Sequence, residues 1–230
     1  DQHEEDEATW AMGMNSITIN LLVPYTDELN SMRFFDHIDA DYRARFMDFY
    51  EASIKRHLFA TAPTKRFINK NVFFTPRVRS VVERMPDARF LYLVRDPAEA
   101  LPSFLSMWWE KWVSHTPEIQ KDGPEAKQLV QLAYDYYDYA LGLLDDLGPD
   151  QILVVNYEDL TQDPDEEVHR IYDWLGIEMS PAFKQNLYEF THAQRCYESS
   201  HDYTLADFGL TRDEVYEGAK RFCARFGFKR

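Results

Sequence analysis

Two short apolar runs constrain the fold of this chain more than any other feature. Phe90–Val94 and Ile152–Val155 are continuous apolar runs bounded by polar residues, which is typical of strands that are covered on both faces of a parallel sheet. Between them, Pro124–Leu147 carries apolar residues at helical spacing and ends at Gly148. This order of strands and helices predicts an α/β fold.

Two helix starts follow from local chemistry. Asp96–Glu99 and Asp163–Glu166 each supply an acid for the N-cap, a proline for the first helical position and then a glutamate, as in a capping box. Apolar residues near a 3.6-residue period predict a helix over Asp41–Phe59, and a second helix over Val78–Met85 that stops before a proline. Arg66–Asn69 is predicted to be a short strand.

Composition limits the class of protein. The chain has 230 residues, 45% of them hydrophobic, so we expect one globular domain spanning residues 1–230. A formal charge of −15 disfavours nucleic acid as a partner. No apolar run is long enough to form a membrane segment, which predicts a soluble, cytoplasmic chain. Cys196 and Cys223 lack metal-ligand spacing; they are either free thiols, the interpretation we favour, or one disulfide.

The segment from Phe90 to Ser103 carries the chemistry. Its strand delivers Arg95 to the carboxyl edge of the sheet, where α/β proteins bind ligands, and a capped helix starts at once. Helix N–H groups and a guanidinium both suit a phosphate, and Ser103 lies about two helical turns further on. The alternative is an arginine paired with a neighbouring acid and a serine that bonds to the local backbone.

A strand followed by Arg-Asp-Pro, with a serine eight positions after the arginine, resembles the 3'-phosphate motif of sulfotransferases that use 3'-phosphoadenosine 5'-phosphosulfate (PAPS). Three further stretches agree with this family in order and spacing: Asn69–Asn71, Asn156–Leu160 and Tyr197–Leu210. Glu5–Ala8 and Val23–Pro24 also resemble its large bacterial and Golgi-type branch. The resemblance implies a P-loop-like, three-layer fold with a parallel sheet flanked by helices. It also implies transfer of a sulfonate from PAPS to a hydroxyl or amine acceptor, without a metal.

The resemblance assigns roles to individual residues. Arg95 and Ser103 would bind the 3'-phosphate of the donor, and Lys70 would stabilise negative charge on the leaving group. Tyr157 would lie near the adenine, although packing against the following helix explains this tyrosine nearly as well.

The resemblance also suggests a base and a segment that closes over the nucleotide. Glu7, with Glu5 and Asp6 beside it, would take the proton of the acceptor, although an acidic terminus is also commonly just solvated. The closing segment contains four further candidates, each with an alternative reading as an ordinary loop residue: Arg195, Ser199, His201 and Tyr203.

The sequence departs from the family in one respect. PAPS sulfotransferases cradle the 5'-phosphosulfate in a glycine-containing loop that precedes all of these motifs, but the eight glycines here form no such pattern. The chain therefore reads as amino-terminally incomplete, lacking the first strand and loop. If it is part of a membrane-anchored parent, the Golgi lumen is the expected compartment.

Two other functions remain open at this stage. One is a non-catalytic binding or scaffold protein that keeps the fold, and the other is a relative of the P-loop kinases, which the missing loop also disfavours. The acceptor is expected to be a small molecule or a glycan, and a homo-oligomer is possible. Trp108, Trp109 and Trp112 could line an acceptor site, or belong to the core or to an interface.

Overall fold

The computed structural model describes residues 6–22, 24, 32–61, 63–194 and 203–229. Most of this part of the chain is helical. The helices are α1 Glu7–Met12, α2 Ala40–Thr61, α3 Val78–Arg84, α4 Pro97–His115, α5 Pro124–Asp146, α6 Tyr157–Gln162, α7 Pro164–Leu175, α8 Pro181–Gln194, α9 Arg212–Gly218 and α10 Lys220–Phe226. None of them combines the length and the apolar character that a bilayer-spanning helix needs.

The two apolar runs form a parallel sheet, as predicted. Strand β1 (Phe90–Val94) pairs with strand β2 (Ile152–Asn156) in a register that sets Phe90 opposite Ile152 and Val94 opposite Asn156. Helices α4 and α5 connect the two strands, as a parallel crossover requires. The predicted α/β class is therefore confirmed, and both strands end at the same edge of the sheet.

The two predicted helix starts are also confirmed. Asp96 accepts a hydrogen bond from the backbone N–H of Ala98 at 2.8 Å and caps α4. Asp163 accepts from the N–H of Glu166 at 3.1 Å and caps α7. Neither Glu99 nor Glu166 completes the capping box expected at these starts; the carboxylate of Glu99 pairs with an arginine of α9 instead.

Two expectations about strands are wrong. Arg66–Asn69 lies outside any strand or helix, because among the described residues it has no neighbouring strand to bond with. Strand β1 is covered on one face only: its alternate residues Leu91 and Leu93 are 41% and 53% exposed. A continuous apolar run gives no signal for which face is covered, so the sequence pattern could not reveal this exposure.

The larger core lies between α4, α5 and the carboxy-terminal helices. Trp108 and Trp112 are buried there, which supports the core interpretation for these two residues. Trp109 is only partly buried, and the ammonium of Lys121 lies 4.6 Å from the centre of its ring. Cys223 is a buried free thiol in the same core, whereas Cys196 lies outside the described residues.

A buried ion pair fastens α1 to the segment before α3. Arg77 is 2% exposed and binds both carboxylate oxygens of Glu7, with N–O distances of 2.6 and 2.9 Å. Its guanidinium also lies 4.4 Å from the ring of Trp10, which is fully buried in a second aromatic core. Ser16 and Asn71 donate further hydrogen bonds to Glu7.

These partners set the charge state of Glu7. Burial alone would raise the pKa of its carboxyl, but the hydrogen bonds and charge of Arg77, with the hydrogen bonds of Ser16 and Asn71, outweigh burial and lower this pKa. Because the folded-state pKa lies below the ordinary value of 4.5, the pair stabilises the fold above that pH. This stabilisation is lost as the pH falls through the folded-state pKa.

Replacing Glu7 with glutamine should therefore destabilise the protein at pH 7 and flatten its response to acid. Leaving Arg77 buried without a carboxylate costs about 3–5 kcal/mol of unfolding free energy. Urea unfolding followed by circular dichroism between pH 3 and 7 measures both effects. We expect Glu7→Gln to lose less stability than the wild type between pH 5 and 3.

Glu118→Gln, at an exposed position after α4, is the control and should change the unfolding free energy by less than about 0.5 kcal/mol. A Glu7→Gln protein as stable at pH 7 as this control would contradict the role assigned to the pair.

Candidate donor-binding site at the carboxyl edge of the sheet

The strand register brings two predicted site residues together. Val94 lies opposite Asn156. The next residues, Arg95 and Tyr157, therefore follow the ends of the two paired strands as neighbours. The guanidinium carbon of Arg95 lies 4.6 Å from the centre of the Tyr157 ring, a cation–π contact. Tyr157 is the first residue of α6 and is 36% exposed.

Arg95 is not paired with an acid in the described part of the chain. The carboxylate nearest in sequence, Asp96, points elsewhere: it accepts from Ala98, from the Tyr216 hydroxyl at 2.7 Å and from Arg212 at 3.3 Å. The contact with Tyr157 orients the guanidinium but satisfies none of its N–H donors. The geometry therefore favours an arginine held ready for an anion over an arginine in a local ion pair.

Ser103 lies in the second turn of α4 with its side chain exposed. Within the described ranges its hydroxyl makes no hydrogen bond. The alternative of a serine bonded to the local backbone is therefore wrong. Pro102 precedes it inside the helix and removes the N–H that would bond to the Ala98 carbonyl. Among the described residues no partner occupies the Ser103 hydroxyl, which remains a donor on the helix that begins at Pro97.

The start of α4 adds to the positive potential around Arg95. The helix has 19 residues and opens directly after β1, so its dipole places partial positive charge at the edge of the sheet. Backbone N–H groups at such a start favour phosphate and sulfate groups. Strand end, helix start and unpaired guanidinium together form a site suited to a phosphate.

Asn71 links Glu7 to the chain segment that carries Lys70. The Asn71 side-chain amide donates to Glu7 at 2.5 Å and to Asp6 at 2.7 Å. Lys70 directly precedes it, with an exposed side chain. The same segment packs on α4 through Phe73, whose ring centre lies 5.9 Å from that of Trp108.

Of the predicted closing segment, the structure describes only its last part. Tyr203 donates a hydrogen bond of 2.9 Å to Glu110, which lies on α4 seven residues after Ser103 and thus on nearly the same helix face. Arg195, Ser199 and His201, like Glu5 at the amino-terminal end, lie outside the described residues.

Two arginines that bind acids in and near the site are absent from the sequence predictions. Arg77 holds Glu7 from 70 residues away, and Arg212 holds Asp96 from 116 residues away. No local spacing could have revealed either contact, since both partners are brought together only by the tertiary fold. Among the described residues, no group of three or more His, Cys, Asp or Glu side chains could hold a metal ion.

Comparison with known proteins places this geometry in a family. A family model described as the sulfotransferase family matches residues 8–181. The curated protein named omega-hydroxy-beta-dihydromenaquinone-9 sulfotransferase Stf3, from Mycobacterium bovis and in the same form from Mycobacterium tuberculosis, is 26% identical over 239 aligned residues. That alignment covers 99% of this chain and 58% of the relative.

Two solved structures show the same fold. Sulfotransferase STF9 from Mycobacterium avium superimposes with a TM-score of 0.83 at 16% identity, covering 98% of this chain and 56% of that one. STF1 from Mycobacterium tuberculosis gives 0.69 at 22% identity, covering 94% and 54%. The chain thus spans a little over half the length of these relatives. The match of the family model over most of its length shows that the chain belongs to the sulfotransferase family.

Proposed function

We propose that this chain provides the nucleotide-binding part of a PAPS-dependent sulfotransferase that transfers a sulfonate to a hydroxyl or amine acceptor. The observation that carries the proposal is the guanidinium of Arg95, which pairs with no acid in the described part of the chain and lies on the ring of Tyr157 at the carboxyl ends of two parallel strands. An anion-binding arginine at this edge is what a phosphorylated nucleotide needs.

In this proposal the 3'-phosphate of the donor lies at the start of α4. Arg95 offers it a planar fork of N–H donors and Ser103 offers a hydroxyl. Tyr157 has one ring face against Arg95 and more than a third of its surface exposed, so it can contact the adenine. Arg195, Ser199 and Tyr203 are proposed to close over the nucleotide.

The proposed reaction breaks the S–O bond of the donor and forms an S–O bond to a hydroxyl acceptor or an S–N bond to an amine acceptor. The acceptor oxygen or nitrogen attacks the sulfur, the bond from sulfur to the bridging phosphate oxygen breaks, and the electron pair leaves with 3'-phosphoadenosine 5'-phosphate (PAP). Lys70 would stabilise the negative charge that develops on the departing oxygen. The acceptor proton must pass to a base.

Glu7 is proposed as that base, although its neighbours limit its basicity. Arg77, Ser16 and Asn71 lower the pKa of its carboxyl, which keeps it in the ionised form that can accept a proton. The same hydrogen bonds reduce its basicity and occupy its oxygens. Proton transfer to Glu7 therefore needs one of these bonds to give way when the acceptor binds.

The acceptor is proposed to be a hydroxyl on an apolar small molecule. The relative Stf3 is named for an omega-hydroxylated menaquinone, and the strongly negative charge of this chain disfavours an anionic glycan.

Binding of PAP tests the donor site directly. Isothermal titration should give a micromolar dissociation constant for the wild-type chain, and Arg95→Ala should weaken binding by about 30-fold, since it removes charge-assisted hydrogen bonds to phosphate. Ser103→Ala should weaken it by roughly threefold to tenfold.

Ser114→Ala, at an exposed position near the other end of α4, is the matched control and should bind PAP as the wild type does. A folded wild-type chain that does not bind PAP, or an Arg95→Ala variant with unchanged affinity, would contradict the proposed donor site.

Substitution of Lys70 separates catalysis from binding. With PAPS and a long-chain aliphatic alcohol as acceptor, Lys70→Met should lower the rate of PAP formation by about 100-fold, while the PAP dissociation constant stays within about threefold. Lys65→Met, at an exposed position five residues earlier, is the control. PAP binding without any sulfonate transfer by the wild type would favour a non-catalytic scaffold.

A further inference from the structure

We infer that Arg212 is a positioning residue for the donor site: it offsets the carboxylates of Asp96 and Glu99, so that the charge of Arg95 is available to a phosphate. The inference rests on the proposed function, because it assumes that Arg95 binds the 3'-phosphate of a nucleotide. It concerns a helix far along the chain, α9, that no motif connects with the site.

The contacts form a clamp across the start of α4. One guanidinium nitrogen of Arg212, Nη1, lies 2.7 Å from Oε1 of Glu99, and the other, Nη2, lies 3.3 Å from Oδ2 of Asp96. Nη2 also donates to the hydroxyl of Tyr216 at 3.0 Å, and that hydroxyl in turn donates to Asp96 at 2.7 Å. Asp96 is 9% exposed and cannot be screened well by water.

The two carboxylates create a problem that the clamp solves. An acid at the N-cap and another in the first turn stabilise the start of α4, but there they also repel an incoming phosphate. Asp96 is also the chain neighbour of Arg95 and would compete with the phosphate for its guanidinium. Tyr216 and Arg212 bind the oxygen of Asp96 that the Ala98 N–H does not use.

Formal charges show the size of the effect. Asp96 and Glu99 carry two negative charges, and Arg95 and Arg212 carry two positive charges, so the start of α4 is neutral before the helix dipole is considered. Without Arg212 the same group carries one net negative charge. Since the Arg212 side chain is 53% exposed, solvent screens the change, and the expected effect on affinity is moderate.

The test compares two nucleotides that differ in the 3'-phosphate. Arg212→Gln should weaken binding of PAP by roughly twofold to fivefold, the size of effect that a charge at a half-exposed site produces. Binding of adenosine 5'-monophosphate, which lacks the 3'-phosphate, should change by less than about 1.5-fold. Isothermal titration of the whole chain measures both.

A matched control separates this effect from a general loss of surface charge. Arg84 also bridges two carboxylates, those of Asp48 and Glu51, at 2.9 and 2.6 Å, and is 45% exposed. Arg84→Gln should leave the affinity for PAP unchanged. Arg212→Lys, which keeps the charge, should recover most of the PAP affinity that Arg212→Gln loses.

The double variant Asp96→Asn, Arg212→Gln tests whether the charge of Asp96 causes the loss of PAP affinity. Asparagine can still accept the hydrogen bond from the Ala98 N–H but carries no charge, so the double variant should bind PAP more tightly than Arg212→Gln alone. Three results would overturn the inference: unchanged PAP binding by Arg212→Gln, equal weakening for both nucleotides, or no recovery in the double variant.

These results are distinct from a failure of the proposed function. If the wild-type chain does not bind PAP, the donor site itself is wrong, and the role of Arg212 fails with it. If the wild type binds PAP through Arg95 but Arg212→Gln has no effect, the donor site stands and only the role of Arg212 is wrong.

Discussion

The organisation of the site depends on where the carboxylate of Asp96 points. This side chain caps α4, and it is bound by Tyr216 and Arg212 rather than by its chain neighbour Arg95. A turn of this carboxylate toward Arg95 would cost the helix its cap and leave the Tyr216 hydroxyl of α9 without its acceptor. One buried acid therefore caps a helix, bonds to α9 and, within the described residues, leaves the adjacent guanidinium without an acidic partner.

The parallel sheet supplies the other constraint. Two strands in register must end together, so the residues that follow them are neighbours whatever the length of chain between them. Arg95 and Tyr157 meet in this way, although helices α4 and α5 separate them in sequence. The proposed catalytic residues depend on a buried ion pair, because Arg77 holds Glu7, and Asn71 then ties Glu7 to the segment that carries Lys70.

The sequence allowed the elements of the fold to be predicted where the signal is local. The apolar run before Arg95 and the Asp-Pro starts of α4 and α7 are short-range patterns, and each predicts its element correctly. Arg66–Asn69 was wrongly predicted to be a strand, because a strand depends on a neighbour that no local pattern encodes. Tyr157 was singled out only through the family resemblance, as a residue near the adenine; its contact with Arg95 follows from the strand register.

The parts that escaped prediction are long-range charge contacts. Arg77 and Arg212 lie on unremarkable stretches of sequence, and their partners are 70 and 116 residues away. A sequence gives only the net formal charge, −15 for this chain. It does not show which acidic and basic side chains pair with each other. Among the described residues, the lack of an acidic partner for Arg95 depends on the tertiary contacts that bind Asp96 and Glu99 elsewhere.

The most direct test of the account is a crystal structure of this chain with PAP bound. The account predicts the 3'-phosphate within hydrogen-bond distance of the Arg95 guanidinium and the Ser103 hydroxyl, with Asp96 still bound by Tyr216 and Arg212. A nucleotide bound elsewhere, or a 3'-phosphate that leaves Arg95 and Ser103 without contact, would contradict it.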